Sequence, residues 1–157
     1  MTISADNLDL VQLKDSSLHR SLLFLNHRAA PIQITGVKSS FLGPREVPQL
    51  ASSMVENRIQ IQVEASQPIA AVNAQIIYFD TFNTELERQT FFWQRDVRPG
   101  EHQTLTWTAQ LDRSVFGTML SSALYFDEVR LADGTVWTTN SRLIMEELHR
   151  RRLEAKQ

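Results

Sequence analysis

A chain of 157 residues is long enough to bury the core of one domain, and its 42% hydrophobic and 22% charged residues argue against disorder. The net charge of −2 argues against a strong general attraction to nucleic acid or to acidic membranes. The absence of cysteine excludes disulfides, thiolate metal sites and cysteine nucleophiles.

The first residues show no targeting segment. Residues 1–7 lack the basic start and the apolar centre of a signal peptide, and no apolar run in the chain is long enough to span a bilayer. We therefore expect no membrane insertion. These observations leave the compartment open, and the sequence as given would be cytoplasmic. Residues 1–7 are predicted to form a flexible N-terminus.

Two short apolar runs follow, at residues 8–13 and 21–26. We interpret them as two strands, in keeping with the β-rich remainder of the chain. One amphipathic helix is the alternative, because Leu18, Leu22 and Leu25 also fall at helical spacing.

The next segment combines a strand and a loop. Residues 31–41 predict a third strand with a bulge at Gly36. Residues 43–57 hold two prolines and no clean period, which predicts a long loop with a short helix over residues 50–55 as an option.

The centre of the chain carries the clearest strand pattern. Residues 58–65 alternate between apolar and polar side chains, as in a strand with one buried face. Residues 69–82 form the next strand. Because residues 76–79 are apolar on both sides, we expect this strand to be covered on both faces.

Three further strands are predicted towards the C-terminus. Residues 88–97 and 102–111 flank a proline-glycine turn at residues 98–101. Residues 123–139 read as a hairpin that turns on Asp133-Gly134.

A two-residue loop at Asp133-Gly134 fixes the register of that hairpin. It pairs Arg130 with Trp137 and Leu131 with Val136. In this register Val136 faces the core together with Val129 and Leu131, whereas Trp137 and Arg130 face outward.

The pattern changes to a helical one after residue 140. Ser141 is a capping residue type, and the apolar stripe of Ile144, Met145 and Leu148 predicts an amphipathic helix over residues 142–155. The chain is thus predicted to contain a β-sandwich domain over residues 8–140 and a C-terminal helix within residues 141–157. Seven to nine short strands with turns between them are typical of an immunoglobulin-like antiparallel β-sandwich.

One segment of about residues 59–111 resembles a known family. Residues 63–66, 76–80 and 98–101 carry the likeness, with the sequences Val-Glu-Ala-Ser, Ile-Ile-Tyr-Phe-Asp and Arg-Pro-Gly-Glu. They are similar to the FxLYD family of small bacterial β-sandwich domains. The resemblance implies a fold and no catalytic residues.

Motifs of enzymes and metal sites are missing from the sequence. The four histidines lie far apart, and neither a zinc-protease helix, a nucleophile-elbow serine nor a glycine-rich phosphate loop occurs. We therefore expect no catalytic residues, no metal and no cofactor. Ser121 and Ser122 are interpreted as turn residues.

The repeated Tyr-Phe-Asp triplet raises one alternative. Asp80 and Asp127 could meet and share a proton or a cation, which a hydrolase would need. The favoured interpretation is that each aspartate ends or bends a strand and accepts backbone hydrogen bonds.

Surplus aromatic residues point to a binding function. Because Phe91, Phe92 and Trp93 are consecutive, one of them must point away from the core. Trp107 lies on an apolar face and is predicted to be in the core. Candidate binding residues are Phe92, Trp93, Arg130 and Trp137.

Two functions suit these residues. The first is a non-catalytic module that presents an edge strand or an aromatic patch to a protein partner, a second copy of the chain included. The second is a carbohydrate-binding module that stacks sugars on Trp93 or Trp137. Two alternatives for Trp137 stay open: the final helix covers it, or Arg130 stacks on it.

Overall fold

The computed structural model describes residues 8–15 and 20–155, with side chains over residues 22–150. The predicted flexible N-terminus, residues 1–7, lies outside the described residues. Within them the chain forms nine strands and two helices. Their bounds are β1 (Leu8–Asp15), β2 (Arg20–His27), β3 (Ile32–Leu42), β4 (Met54–Ala65), β5 (Ile69–Asp80), β6 (Glu85–Val97), β7 (His102–Asp112), α1 (Arg113–Thr118), β8 (Met119–Leu131), β9 (Val136–Thr138) and α2 (Ser141–Ala155).

The strands form two sheets. The larger sheet has the order β1-β2-β8-β5-β6, with β9 paired to the end of β8, and the smaller sheet has the order β3-β4-β7. The pairs are antiparallel except β2 with β8, which is parallel. The predicted fold class, a mainly β sandwich with a C-terminal helix, is confirmed.

The main core lies between the two sheets and follows from strict alternation. In β4 the side chains of Ile59, Ile61 and Val63 are buried while their polar neighbours are exposed. They pack against inward side chains of the larger sheet, such as Ile76 and Leu124. The strands over residues 8–13 and 21–26 are confirmed in β1 and β2, and the bulge at Gly36 is confirmed by a register shift.

A second, smaller core lies on the outer face of the larger sheet. Ile144 and Leu148 of α2 pack there on a set of outward side chains of β2, β5 and β8. Ile77 and Phe79 belong to this set, whereas Tyr78 between them faces the main core. The prediction that residues 76–79 are buried on both faces is therefore confirmed, and α2 is the reason.

Three local predictions differ from the structure, and one element was not predicted. The predicted loop over residues 43–57 ends at residue 53, because β4 already begins at Met54, and the optional helix over residues 50–55 is absent. Ser121 and Ser122 are not turn residues but lie buried inside β8. The side chain of Asn140, rather than Ser141, accepts hydrogen bonds from the first backbone N–H groups of α2. Helix α1 has no counterpart in the predicted elements.

The register of the β8–β9 hairpin also differs from the prediction. Leu131 pairs with Thr135 through a 2.8 Å hydrogen bond, so the loop has three residues and Gly134 adopts a φ of 92°. Arg130 consequently pairs with Val136, and Val129 pairs with Trp137. A shift of one residue exchanges the two faces of a strand, so Trp137 faces inward and Val136 faces outward.

Candidate functional site

Helix α2 covers only part of the outer face of the larger sheet. Its apolar residues contact the half that carries Ile77, Phe79 and Ala123. At the other end of β5, the outward side chains are Ala71 and Asn73. This end holds an open groove of about 370 Å³.

Strand pairing places the groove residues in two rows across the sheet. Val136, Arg130, Ala71 and Gln94 occupy neighbouring strands in one row. The next row holds Glu128, Asn73 and Phe92, and Thr138 continues this row beyond Glu128, outside the groove. Because residues opposite each other on adjacent strands share one face, these side chains form one surface. The groove is lined by Ala70, Ala71, Val72, Asn73, Phe92, Gln94, Glu128, Arg130 and Val136.

Phe92 is the aromatic side chain that the β6 triplet turns outward. It is 62% exposed, whereas Phe91 before it is buried. Val136 at the opposite wall of the groove is 48% exposed. Phe82 is still more exposed, at 83%, but it lies on the turn after β5 and does not line the groove.

The polar side chains around Phe92 have unused hydrogen-bonding capacity. Within the described part of the chain, Asn73, Gln94, Glu128 and Arg130 make no side-chain hydrogen bond or salt bridge. Two are amides and two carry opposite charges. The surface therefore offers donors and acceptors of both signs beside an apolar ring.

Trp137 is not part of this surface, and the prediction that it faces outward is wrong. It is 9% exposed and belongs to the main core, where its ring lies 5.7 Å from the ring of His27. Arg130 is on the opposite face of the hairpin, so it does not stack on the indole. The one-residue difference in the loop explains both errors.

Trp93 also points inward, on the side of the sheet opposite Phe92. It is half-buried, lies edge-on to Phe91 at 4.6 Å, and donates its indole N–H to the carbonyl of Thr106. The ring of Trp107 stacks on that of Phe91, with 3.9 Å between the ring centroids. Trp107 packs against the core as predicted, although it is only partly buried.

Next to the groove lies a polar network at the margin of α2. Gln75 donates to Asp127 Oδ2 at 2.8 Å and accepts from the Tyr125 hydroxyl and from Arg88, both at 3.2 Å. Burial raises the pKa of Asp127 and of Tyr125 above their ordinary values. Asp127 Oδ1 is buried without a hydrogen-bond partner.

The two aspartates of the repeated triplet do not meet. Asp80 lies opposite Met119, whereas Asp127 lies at a bulge opposite Asn73 and Ala74, about 20 Å away along β5. Asp80 accepts backbone hydrogen bonds in the turn after its strand, as the favoured interpretation predicted. A shared proton or cation between the two aspartates is therefore excluded.

Sequence reasoning identified two of the groove residues and missed the others. Phe92 and Arg130 line the groove, while Trp93 and Trp137 do not. Asn73 and Gln94 were missed. Alternation along β6 places Gln94 on the same face as Phe92, which was a usable signal, and Asn73 lies opposite Phe92 on β5. Val136 was missed because the hairpin register was wrong.

Neither a metal cluster nor a membrane-spanning helix is found among the described residues. No group of three or more histidine, aspartate or glutamate side chains is placed to hold a metal ion in this part of the chain. Among the same residues, no helix has the length and apolar character to cross a membrane.

Comparison with known proteins adds little. No family model matches the chain and no curated protein does, so the resemblance to the FxLYD family stays a prediction. One solved structure that matches is the "putative beta-galactosidase from Bacteroides fragilis", with a TM-score of 0.38 and 13% identity. The match covers 66% of this chain and 18% of that chain. A likeness of this degree carries no inference about activity.

Proposed function

We propose that this chain is a non-catalytic interaction domain that binds a protein partner in the groove around Phe92. The exposed phenyl ring on a sheet face that α2 leaves uncovered is the observation that carries the proposal. Removing such a ring from water stabilises a complex, and aromatic residues are enriched among the anchors of protein interfaces.

The surroundings of Phe92 suit a protein ligand. An apolar partner side chain would fit between Phe92 and Val136. Glu128 and Arg130 would pair with charges of both signs, and the amide of Asn73 would bond to polar groups of the partner. These polar groups would fix the orientation of the partner, since they lack side-chain partners within the described residues.

Phe82 provides a matched control, because it is an exposed phenylalanine outside the groove. Affinity capture from the native host is done with the wild-type chain, Phe92→Ala and Phe82→Ala. We expect one protein to be retained by wild type and Phe82→Ala and to be lost with Phe92→Ala. With the purified partner, Phe92→Ala should weaken binding by at least about tenfold.

A partner that both substitutions affect equally would refute the groove as the binding surface. Sedimentation of the purified chain separates self-association from binding of a different protein. A dimer that Phe92→Ala dissociates would assign the groove to a second copy of the chain.

A carbohydrate ligand is the second candidate, and one observation favours it. Phe92 is surrounded by four side chains that can bond to sugar hydroxyls, Asn73, Gln94, Glu128 and Arg130. Phe92 replaces Trp93 and Trp137 as the stacking platform, since the two indoles face inward. A glycan array should then show binding that Phe92→Ala and Asn73→Ala both abolish. An array without any bound glycan removes this candidate and leaves the protein ligand.

A further inference from the structure

We infer that the free edge of β9 accepts an extended peptide as an added strand. The inference rests on the proposed function, because it names the form in which a protein partner is recognised. It concerns a different surface, however, since it uses backbone groups of β9 rather than the ring of Phe92.

The parity of the β8–β9 ladder determines which backbone groups are free. Thr135 accepts from Leu131 N at 2.8 Å, and Thr139 donates to Asp127 O at 3.0 Å. In an antiparallel pair, alternate residues direct their N–H and C=O groups towards the partner strand. Val136 lies one residue beyond Thr135 and therefore directs its backbone groups away from β8. Thr138, two residues after Val136, does the same.

On the side of β9 that faces away from β8, the described residues form no neighbouring strand. β9 pairs with β8 alone among the described strands. Two N–H groups and two C=O groups, those of Val136 and Thr138, consequently form a short unpaired edge. Their spacing of about 7 Å matches that of an extended polypeptide.

Side chains cap the edges of the smaller sheet, in contrast to β9. At the β3 edge, Asn26 Oδ1 accepts from Ile34 N at 2.8 Å and Asn26 Nδ2 donates to Ile34 O at 2.7 Å. This amide satisfies the backbone of Ile34 as a neighbouring strand would. The β3 edge is therefore closed at this point to an added strand.

At the β7 edge, side chains of β6 reach across from the larger sheet. Gln89 donates to the carbonyl of residue 110, Trp93 to that of residue 106, and Arg95 to that of residue 104. Capping of this kind prevents uncontrolled pairing between sheet edges. Both edges of the smaller sheet are thus capped at these points. In the larger sheet β1 and β6 also pair on one side only, but β9 is the edge beside which a cleft lies next to the groove around Phe92.

A cleft of about 310 Å³ runs along the open side of β9. Ala29, Pro31 and Gln67 line it together with Leu131 and residues 135–138. The cleft also meets the groove around Phe92, because Val136 lines both. A partner can therefore occupy the two surfaces at once.

The cleft determines what the added strand would look like. Three residues opposite Val136, Trp137 and Thr138 span about 10 Å. The middle residue shares the inward face of Trp137 and points towards Leu131 and Pro31, so a small apolar side chain fits there. Its two neighbours face solvent and tolerate polar side chains. Strand addition takes its affinity from the backbone and its selectivity from alternate side chains.

Thr138 allows a test that separates the backbone from the groove, since it lines the cleft and not the groove. Peptides are selected on the wild-type chain from a phage-displayed random library and then synthesised. Thr138→Pro removes the outward N–H and no hydrogen bond to β8. Thr138→Val keeps the N–H and is the matched control.

We expect the selected peptides to bind at least about tenfold more weakly to Thr138→Pro, and to bind Thr138→Val as they bind wild type. By NMR, the bound peptide should slow hydrogen exchange at the amides of Val136 and Thr138. Methylating the peptide nitrogen that donates to β9 should weaken binding to the unaltered protein as well, which guards against misfolding of the proline variant.

The opposite results overturn the inference. These are a library that yields no binder, unchanged exchange at both amides, or equal binding by Thr138→Pro and Thr138→Val. A wild-type dimer that Thr138→Pro dissociates would assign the edge to a second copy. Binding that Phe92→Ala abolishes and Thr138→Pro leaves intact would overturn strand addition and keep the groove. The reverse pattern would keep strand addition and refute the groove.

Discussion

A buried polar pair that joins the two sheets gives the sharpest stability prediction. Tyr78 of the larger sheet is fully buried, and its hydroxyl accepts a 2.8 Å hydrogen bond from Asn57 Nδ2 of the smaller sheet. Asn57 is also fully buried, and its Oδ1 accepts from the hydroxyl of Ser39 at 2.8 Å. Burial is the main reason that the pKa of Tyr78 is raised far above its ordinary value. The hydroxyl is therefore neutral at pH 7.

Tyr78→Phe removes the oxygen and keeps the ring. One N–H group of Asn57 then has no acceptor, and water has no access to it because the side chain is fully buried. Leaving a buried donor unsatisfied costs about 1–3 kcal/mol, a large part of the roughly 5–15 kcal/mol that stabilises a typical domain. We expect the free energy of unfolding to fall by that amount.

Tyr125→Phe is the matched control. The side chain of Tyr125 is also buried, but its hydroxyl donates to Gln75, a partly buried amide that also bonds to the exposed Arg88, and Ser141 bonds to the same hydroxyl. Water can reach the partly buried amide of Gln75, which also keeps its bonds to Asp127 and Arg88, so the cost should stay at or below about 1 kcal/mol. Both variants are compared by equilibrium unfolding in urea, in which the midpoint should fall without a change in slope.

A double-mutant cycle with Asn57→Ala tests the pairing itself. In the Asn57→Ala background, Tyr78→Phe should cost about 1 kcal/mol less than in the wild type, because the donor that it orphans is gone. Equal costs in both backgrounds would show that the two side chains do not interact. Equal costs for Tyr78→Phe and Tyr125→Phe would refute the argument that a fully buried partner, Asn57, costs more to orphan than the partly buried Gln75.

Three further predictions concern the backbone and pH. Gly134→Ala should lower the free energy of unfolding by about 1 kcal/mol, because Gly134 adopts a positive φ. Gly117→Ala in α1 is the control and should not lower the free energy of unfolding, since an added methyl group meets no atom there. Asn26→Ala should cost about 1–3 kcal/mol in urea unfolding, because it uncaps the β3 edge. Burial lowers the pKa of His27, whose Nδ1 accepts from Ala29 N and must stay unprotonated to do so. The contribution of His27 to the free energy of unfolding should therefore be fully present above the ordinary pKa of 6.5 and be lost as the pH drops below it. His27→Gln should remove this dependence in urea unfolding measured across pH.

Much of the fold could be predicted because its main signals are local. The alternation of residues 58–65 sets one buried face without reference to any other strand. The apolar run at residues 76–79 indicated a second covering layer, and the helical stripe near the C-terminus supplied it. Sequence alone could not join these two observations, since the contact between β5 and α2 spans more than sixty residues of chain.

Features that depend on other parts of the chain were missed. Ser121 and Ser122 resemble turn residues, yet they lie in β8 because β2 and β5 flank them on both sides. The same limit applies to the capped edges. Nothing local in Asn26 or Gln89 indicates that its side chain satisfies the backbone of the opposite sheet. Such roles depend on the approach of two sheets, which the pattern of one strand does not contain.

The hairpin shows most clearly how one local error moves a site. Asp133-Gly134 is compatible with a loop of two or of three residues, since either places Gly134 where a positive φ is needed. Both registers keep Val129 inside, and they differ in whether Val136 or Trp137 joins it. The three-residue loop buries the larger indole against the main core and leaves the smaller valine in solvent. Because the indole removes more apolar area from water, tertiary packing selects this register. The choice that buries Trp137 is thus also the choice that puts Val136 on the groove and leaves its backbone free at the edge of the sheet.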